Sequence, residues 1–373
     1  MIKYYRPTIA EIDIGAIRHN LGQVKKIVAE DVSILGVVKA DAYGHGMREV
    51  SLELVRNGVS YLGVASIDEA RELRNIGIKK DIIVLGAVLP EDIEGVLRFN
   101  VIQTISGLSI AKLLSRQAKK KNKKAKVHIK IDTGMGRLGL WHKEALAIIK
   151  KIYLLDNIVV DGIFTHFPSA EDDIAFTKKQ IDSFNSLIKE LESCGIYIPF
   201  RHTSNSMALV NFKESHMNMV RPGLIMYGLY PKDGLRNILK LRQALTLKTK
   251  IVCLKEVEKG RSISYGRTHI TKRPTKIATL PIGYGDGYSR HLSNKGEVLI
   301  RGKRSPIVGR VCMDMIMCDV GHIKGVKVGD EVVLIGRQGK DIIRAEDLAH
   351  LSRTISYEVV CNIGRRVPRV YKN

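Results

Sequence analysis

No stretch of this sequence approaches the roughly 20 consecutive apolar residues that a membrane-crossing helix requires. The N-terminus, Met1-Ile-Lys-Tyr-Tyr-Arg-Pro7, lacks the apolar core of a signal peptide, so a cytoplasmic location and no membrane partner are expected. Five cysteines, Cys194, Cys253, Cys312, Cys318 and Cys361, form no CxxC pair, and their odd number argues against a disulfide framework. No His, Cys, Asp or Glu residues stand at convincing zinc spacing, so no metal is expected. Low-complexity linkers and internal repeats are absent as well, which favours domains that abut. Acidic residues are scarce: 38 Asp and Glu against 61 Lys and Arg leave a net charge of +23. That excess attracts polyanions without specificity. The densest basic run, Lys119-Lys-Lys-Asn-Lys-Lys-Ala-Lys126, carries no aromatic side chain on which a base could stack. It reads as a solvated loop between a helix and a strand, and no nucleic-acid partner is expected.

What is present is an alternation. With 45% hydrophobic residues in 373, the chain can bury a full core and is long enough for two domains. Between about residues 34 and 240, eight short apolar runs recur: Ile34 to Val38, Tyr61 to Ala65, Ile82 to Ala87, Val101 to Ile105, Val127 to Ile131, Gly162 to Phe167, Phe200 to Thr203 and Met219 to Gly223. Between them lie stretches with apolar residues at helical spacing, such as Ile67 to Arg74 and Asp173 to Phe184. The pattern predicts an α/β protein with an N-terminal (β/α)8 TIM-type barrel over residues 1–240, a doubly wound open sheet being the alternative. Beyond residue 240 the period changes to two, as in Leu245 to Cys253, Gly296 to Gly302 and Gly329 to Gly336. A mainly β C-terminal domain is therefore expected over residues 241–373, with residues 1–10 available to pair with it.

In a barrel of this kind reactive groups collect where strands meet the following loops. Lys39 and Tyr43 follow the first run, Lys130 and Arg137 flank the end of the fifth, His166 ends the sixth, His202 to Ser206 follow the seventh, and Arg221 lies in the eighth. Ionisable groups ending apolar runs are costly to bury without partners, so one shared polar site is the economical reading. Lys39, partly desolvated at a strand end, has the character of an amine nucleophile toward an aldehyde. Gly134-Met-Gly-Arg-Leu-Gly139 fits GxGxxG before a helix expected near His142. As the fifth unit of a long alternation, with Arg137 inside it, the loop is better read as presenting Arg137 to an oxyanion. Asn205, Ser206 and Arg221-Pro-Gly-Leu224 offer the donors of a phosphate cradle. His166 alone is more often structural, and tyrosines such as Tyr265, Tyr284 and Tyr357 are by default core or interface residues.

Glu11-Ile-Asp-Ile-Gly-Ala-Ile-Arg-His-Asn20, Val38-Lys-Ala-Asp-Ala-Tyr-Gly-His-Gly46, Lys130-Ile-Asp-Thr-Gly-Met-Gly-Arg-Leu-Gly139, Met219-Val-Arg-Pro-Gly223, Ser264-Tyr-Gly266 and Val311-Cys-Met-Asp314 together resemble, in one order and over the whole chain, the alanine racemases. The resemblance implies a pyridoxal 5'-phosphate enzyme, a barrel plus a β domain, and a head-to-tail homodimer whose two active sites are shared. It implies that Lys39 holds the cofactor through its aldehyde. Tyr43, Ser206, Gly223, Leu224 and Tyr357 would bind the phosphate, with Asn205 supporting them, and Arg221, backed by His166, would face the pyridine nitrogen. Lys39 and Tyr265 of the other chain would be the two acid/base groups that interconvert L- and D-alanine. Arg137 and the Met313 backbone would anchor the substrate carboxylate, Lys130 would be open to carbamylation, and Tyr284, Arg310 and Tyr357, with Asp314 nearby, would form a narrow access corridor. Supply of D-alanine for peptidoglycan is implied by the family alone. The chain departs from the family at that corridor: Glu171 stands where an aspartate is common, and Gly285 replaces a frequent alanine. A racemase for serine or for a broader range, a decarboxylase, and a non-catalytic pyridoxal-phosphate homeostasis protein are the competing readings.

Overall fold

A computed structural model describes residues 5–373. Eight parallel strands neighbour one another in the order Met219–Val220, Ser33–Val37, Tyr61–Val64, Asp81–Val84, Ile102–Ile105, Ala125–Asp132, Ile158–Phe164 and Phe200–His202. The strands at the two ends of that order are joined by the Arg221 N–H, which donates to the Ser204 carbonyl at 3.1 Å. The sheet is thus a nearly closed barrel rather than an open doubly wound sheet. All eight strands fall on the eight apolar runs. The eighth is short and stops at Val220, so Arg221 stands one residue beyond it.

Alternation within single strands explains both the barrel wall and its interior. In Ala125–Asp132, Val127, Ile129 and Ile131 join the layer that packs against the surrounding helices. His128 and Lys130, between them, are buried without joining it. A separate apolar cluster of Leu35, Ile83, Ile102 and Met219 fills part of the interior. The remainder is polar, and His128, Lys130, His202 and Arg221 are all almost fully buried there. The outer helices are capped as their sequences suggest. Ser66 accepts from Glu69 N–H ahead of Ile67–Asn75, and Asp173 accepts from Phe176 N–H ahead of Ile174–Ser193.

The C-terminal part is built on a seven-stranded and a three-stranded sheet around its own core, and it also carries a two-stranded ribbon. Strand Ile9–Asp13 belongs to the larger of these, antiparallel to Leu245–Lys250 and parallel to Arg369–Lys372. Thr8 supports that pairing through a 2.8 Å bond to Thr249, and Arg6 reaches Asp286 and the Pro281 carbonyl. The expected pairing of residues 1–10 therefore concerns Arg6 to Ala10 here, while residues 1–4 lie outside the described residues. Two helices, Ala345–Ser352 and Ser356–Cys361, lie where this part meets the barrel mouth. The basic run lies where helix Leu108–Lys120 turns into strand Ala125–Asp132, largely exposed.

Candidate active site

A cavity of about 430 Å³ opens at the C-terminal ends of the barrel strands. Lys39, Lys130, Arg137 and Arg221 all line it, and no Asp or Glu does among the described residues. Four basic side chains facing a space with no carboxylate describe a binding site for an anion. Val37, Leu85, Leu138 and Phe164 supply flat apolar walls around that charge.

Lys39 sits just past strand Ser33–Val37, half-buried, and burial followed by the Arg137 charge lowers its pKa. The backbone after it is unusual. Ala40, Asp41, Ala42 and Tyr43 all have φ of 53–54°, one left-handed turn without a glycine. Such a conformation costs about 1–2 kcal/mol per residue, so surrounding contacts must impose it. Glu69 accepts from Ala40 N–H at 2.8 Å and from Ala65 N–H at 2.6 Å, tying the turn to the next strand. Asp41 accepts from Met47 N–H at 2.7 Å, and Arg369 donates to the Gly44 carbonyl at 3.0 Å. The turn directs the Tyr43 ring inward, 5.9 Å from Tyr357 and 4.9 Å from Tyr227 between ring centres.

Tyr43, Ser206 and Gly223 meet at one end of the cavity. Gly223 N–H donates to Ser206 Oγ at 2.9 Å, and a Cβ on Gly223 would lie 2.6 Å from the Tyr43 hydroxyl. Only glycine leaves this cradle open, and Leu224 and Tyr357 complete its wall. Asn205 organises it by accepting from Met207 and Ala208 N–H at 3.1 and 2.9 Å.

Arg221 is held deep in the barrel. It donates to the carbonyls of Thr165, His202 and Thr203 at 2.8–2.9 Å, and to His202 Nδ1 at 2.9 Å. Burial pushes its pKa down to about 9, so it stays protonated at neutral pH. The expected backing by His166 is the weaker contact, 3.4 Å from Arg221 Nη2. His202 makes the shorter contact beside it. Because His202 Nδ1 accepts from a guanidinium, its Nε2 carries the proton and donates to His128 Nδ1 at 2.8 Å. His128 Nε2 then faces Asp161 at 3.5 Å. Burial and the Arg221 charge hold His166 and His202 well below the usual imidazole range, so both are neutral. Lys130 Nζ lies 4.6 Å over the Phe164 ring with no hydrogen-bond partner among the described residues, and burial lowers its pKa strongly.

The glycine loop does shape Arg137's approach. Gly134, Gly136 and Gly139 all have positive φ, and the Asp132 carboxylate accepts from the N–H groups of Gly134, Met135 and Gly136. The following helix starts at Ala145 rather than near His142. Sequence reasoning missed Asp132, Glu69, His128 and the part His202 plays. Asp132 was the most accessible of these, since an Asp before Thr-Gly is an Asx-turn signature.

Tyr265, Tyr284, Arg310, Met313 and Asp314 do not line this cavity within one protomer. They gather on a face of the C-terminal part. Gly285 N–H donates to the Met313 carbonyl at 2.9 Å, Ser264 Oγ to the Arg310 carbonyl at 2.6 Å, and Arg366 to Asp314 at 2.6 Å. Tyr265 is 71% exposed, Met313 52% and Tyr284 43%, an apolar display unlike an ordinary surface. A Cβ at Gly285 would meet only the mobile end of Arg366, at 2.5 Å, and the Met313 carbonyl at 3.1 Å. Glu171 is half-buried near Tyr357, and burial followed by Asp172 raises its pKa.

Two family models cover nearly all of the chain: the alanine racemase N-terminal domain matches residues 12–231 and the alanine racemase C-terminal domain residues 244–371. An alanine racemase of Halothermothrix orenii is 50% identical over 369 residues, 99% of this chain and 97% of that one. A solved alanine racemase of Clostridium difficile 630 superposes with a TM-score of 0.94 at 41% identity, over 99% of this chain and 97% of that one. An alanine racemase from Bartonella henselae, described with covalently bound pyridoxal phosphate, superposes at 0.87 and 29% identity over 98% and 99% of the two chains.

Proposed function

The chain belongs to the alanine racemase family, and from that premise we propose that it interconverts L- and D-alanine with pyridoxal 5'-phosphate, using Lys39 of one protomer and Tyr265 of a second copy. The observation that carries the proposal is the cationic cavity without a carboxylate, ending in the cradle of Tyr43, Ser206 and Gly223. Those residues fit the cofactor: a phosphate would take the hydroxyl and N–H donors of the cradle, with Leu224 and Tyr357 beside it, and a planar ring would lie between the apolar walls.

When bound, the cofactor withdraws electrons from the substrate and so acidifies its α C–H bond. The protein does the rest. Lys39, whose pKa burial lowers, would hold the cofactor at its aldehyde and would move a proton on one face of the α carbon. Tyr265 would serve the opposite face, and its exposure in a single protomer suits a residue lent to a neighbour. Arg221 would donate to the ring nitrogen and leave it unprotonated, which moderates the electron withdrawal and limits side reactions. Arg137 and the Met313 backbone would hold the substrate carboxylate. A carbamate on Lys130 would give its buried, unpartnered nitrogen a charge opposite to Arg137 and hold that guanidinium in place. Glu171, Tyr284, Arg310 and Asp314 would shape the access corridor. A cytoplasmic location and supply of D-alanine for peptidoglycan belong to the same proposal.

A non-catalytic carrier would not need the C-terminal domain, which is present and matched by its own family model. The test is deuterium wash-in at the α carbon of L- and D-alanine, with loss of optical activity, in wild type, Lys39→Ala and Tyr265→Phe. Exchange with racemisation in wild type and near-total loss in both variants is expected. Alanine should lead a panel of L-amino acids, and serine in first place would overturn the substrate assignment.

A further inference from the structure

Asp286 carries its carboxylate into the base of the face that displays Tyr284 and Met313. The residue is only 1% exposed, and two arginines from opposite ends of the chain converge on it. Arg6 pairs with both carboxylate oxygens, and Arg366 Nε lies 3.5 Å from Oδ1. Asp286 also accepts from the Gly283 N–H at 3.0 Å, closing the turn Tyr284–Asp286, and its carbonyl accepts from the Gly364 N–H at 2.9 Å. Arg366 continues to Asp314, the residue after Met313, at 2.6 Å.

Between these anchors the two loops are joined backbone to backbone. Tyr284 N–H donates to the Cys312 carbonyl at 3.0 Å and Gly285 N–H to the Met313 carbonyl at 2.9 Å. A Cβ on Gly283 would stand 2.2 Å from the Cys312 carbonyl oxygen, so only glycine permits the approach. The turn that presents Tyr265 rests on the same loop, since Ser264, at φ 64°, donates to the Arg310 carbonyl at 2.6 Å. An ion pair taken out of water adds little net stability, but it can fix register. Here the register is that of side chains which do not line the cavity of their own protomer.

We propose that Asp286 and Arg366 are positioning residues that hold Tyr284 and the Met313 backbone, from beneath, in the register required by the active site of a neighbouring chain. The inference rests on the shared active sites proposed above. Neither residue touches the reacting atoms: Asp286 orients Arg366, Arg366 orients Asp314, and the Met313 backbone is fixed between Asp314 and the Tyr284 turn. Because that backbone would hold the substrate carboxylate in the ground state and the transition state alike, loosening it should raise KM more than it lowers kcat. Damage to the fold would instead reduce the amount of active protein and lower kcat at unchanged KM.

The test uses cofactor-loaded dimers mixed from a Lys39→Ala chain and a Tyr265→Phe chain and selected by two tags. Their one intact site takes Lys39 from the Tyr265→Phe chain, and Tyr265, Tyr284 and Met313 from the Lys39→Ala chain. Arg366→Ala is then placed in one chain or in the other. In the Lys39→Ala chain it should lower kcat/KM for alanine about ten- to hundred-fold, mostly through KM. In the Tyr265→Phe chain it acts only on the site that is already dead, and kcat/KM should change by less than about two-fold. Arg366→Lys in the Lys39→Ala chain should recover part of the loss. Asp286→Asn should repeat the asymmetry, and if that buried change prevents folding, the half-exposed Arg366 still decides. Equal losses in the two placements, or a loss carried by kcat alone, would mean an ion pair that serves the fold only and would overturn the proposal. The mixed dimer without a third substitution is the control. An inactive control removes the shared site and this inference with it, whereas an active control without asymmetry overturns the positioning role alone.

Discussion

If Lys39 and Tyr265 act from different chains, two inactive proteins should restore one another. Lys39→Ala and Tyr265→Phe each remove an acid/base group, and each homodimer should fall by roughly 10²- to 10⁴-fold. Within one protomer Tyr265 is 71% exposed and does not line the cavity that holds Lys39. In a two-fold dimer of one Lys39→Ala chain and one Tyr265→Phe chain, one site carries both substitutions and the other carries neither. Equal amounts refolded together assort so that about half of the dimers are mixed, which leaves about a quarter of the wild-type sites intact. Selecting the mixed species by two different affinity tags raises this to about half of the wild-type rate per dimer. Both values stand at least about 25-fold above the more active homodimer if each loss reaches 10². Racemisation of alanine by the tag-selected species is the assay. A rate no higher than that of the two homodimers would refute the shared site, because a site contained within one chain gains nothing from mixing.

Three further outcomes follow from the cavity and its supports. A carbamate on Lys130 should give a ¹³C resonance when the protein is held in labelled bicarbonate, and the signal should be absent in Lys130→Ala; a spectrum identical in both would remove that role. Gly162→Ala places a methyl group 2.5–2.6 Å from the His128 ring. Moving that ring disturbs the path from His128 through His202 to Arg221, so a stability loss of about 1–3 kcal/mol in urea unfolding is expected, together with a lower kcat. Burial pushes the His45 imidazole down to about 4. Between about pH 6.5 and 4 the unfolded chain binds the proton and the folded one does not, so the stabilisation is complete above 6.5 and lost as the pH falls to 4. The loss is at most about 3 kcal/mol, read as a flatter pH dependence of unfolding in His45→Gln than in wild type.

The barrel was legible because its strands are buried on both faces, which writes each one as an apolar run and makes a Lys, His or Arg at its end conspicuous. Lys39, Lys130, His166 and Arg221 stood out for that reason, and they do meet at one cavity. The turn from Ala40 to Tyr43 was not legible. Nothing local favours four left-handed residues without a glycine, and the contacts that impose the turn come from Glu69 and Arg369, far along the chain. Glu69 itself reads as an exposed position on an amphipathic helix, since sequence spacing shows which face a residue takes but not what that face meets. His128 was hidden in the opposite way: inside an apolar run it looks like a satisfied core residue, and only the distance to His202 shows what satisfies it.

The same features bear on stability. The barrel mouth holds a strained turn, a buried guanidinium without a carboxylate, and a lysine nitrogen without a partner among the described residues. Each disfavours the folded chain on its own, and an anion in the cavity relieves the electrostatic part of that cost. Ligand binding and folding are therefore linked. Cofactor at 100 times its Kd should add about 2.7 kcal/mol to the unfolding free energy of the stripped protein. At that same cofactor concentration Lys39→Ala should show a smaller increment without losing it, because the cradle of Tyr43, Ser206 and Gly223 still holds the phosphate. Equal increments in the two proteins would mean that the amine contributes nothing to retention, and that the cavity binds the cofactor through its phosphate alone.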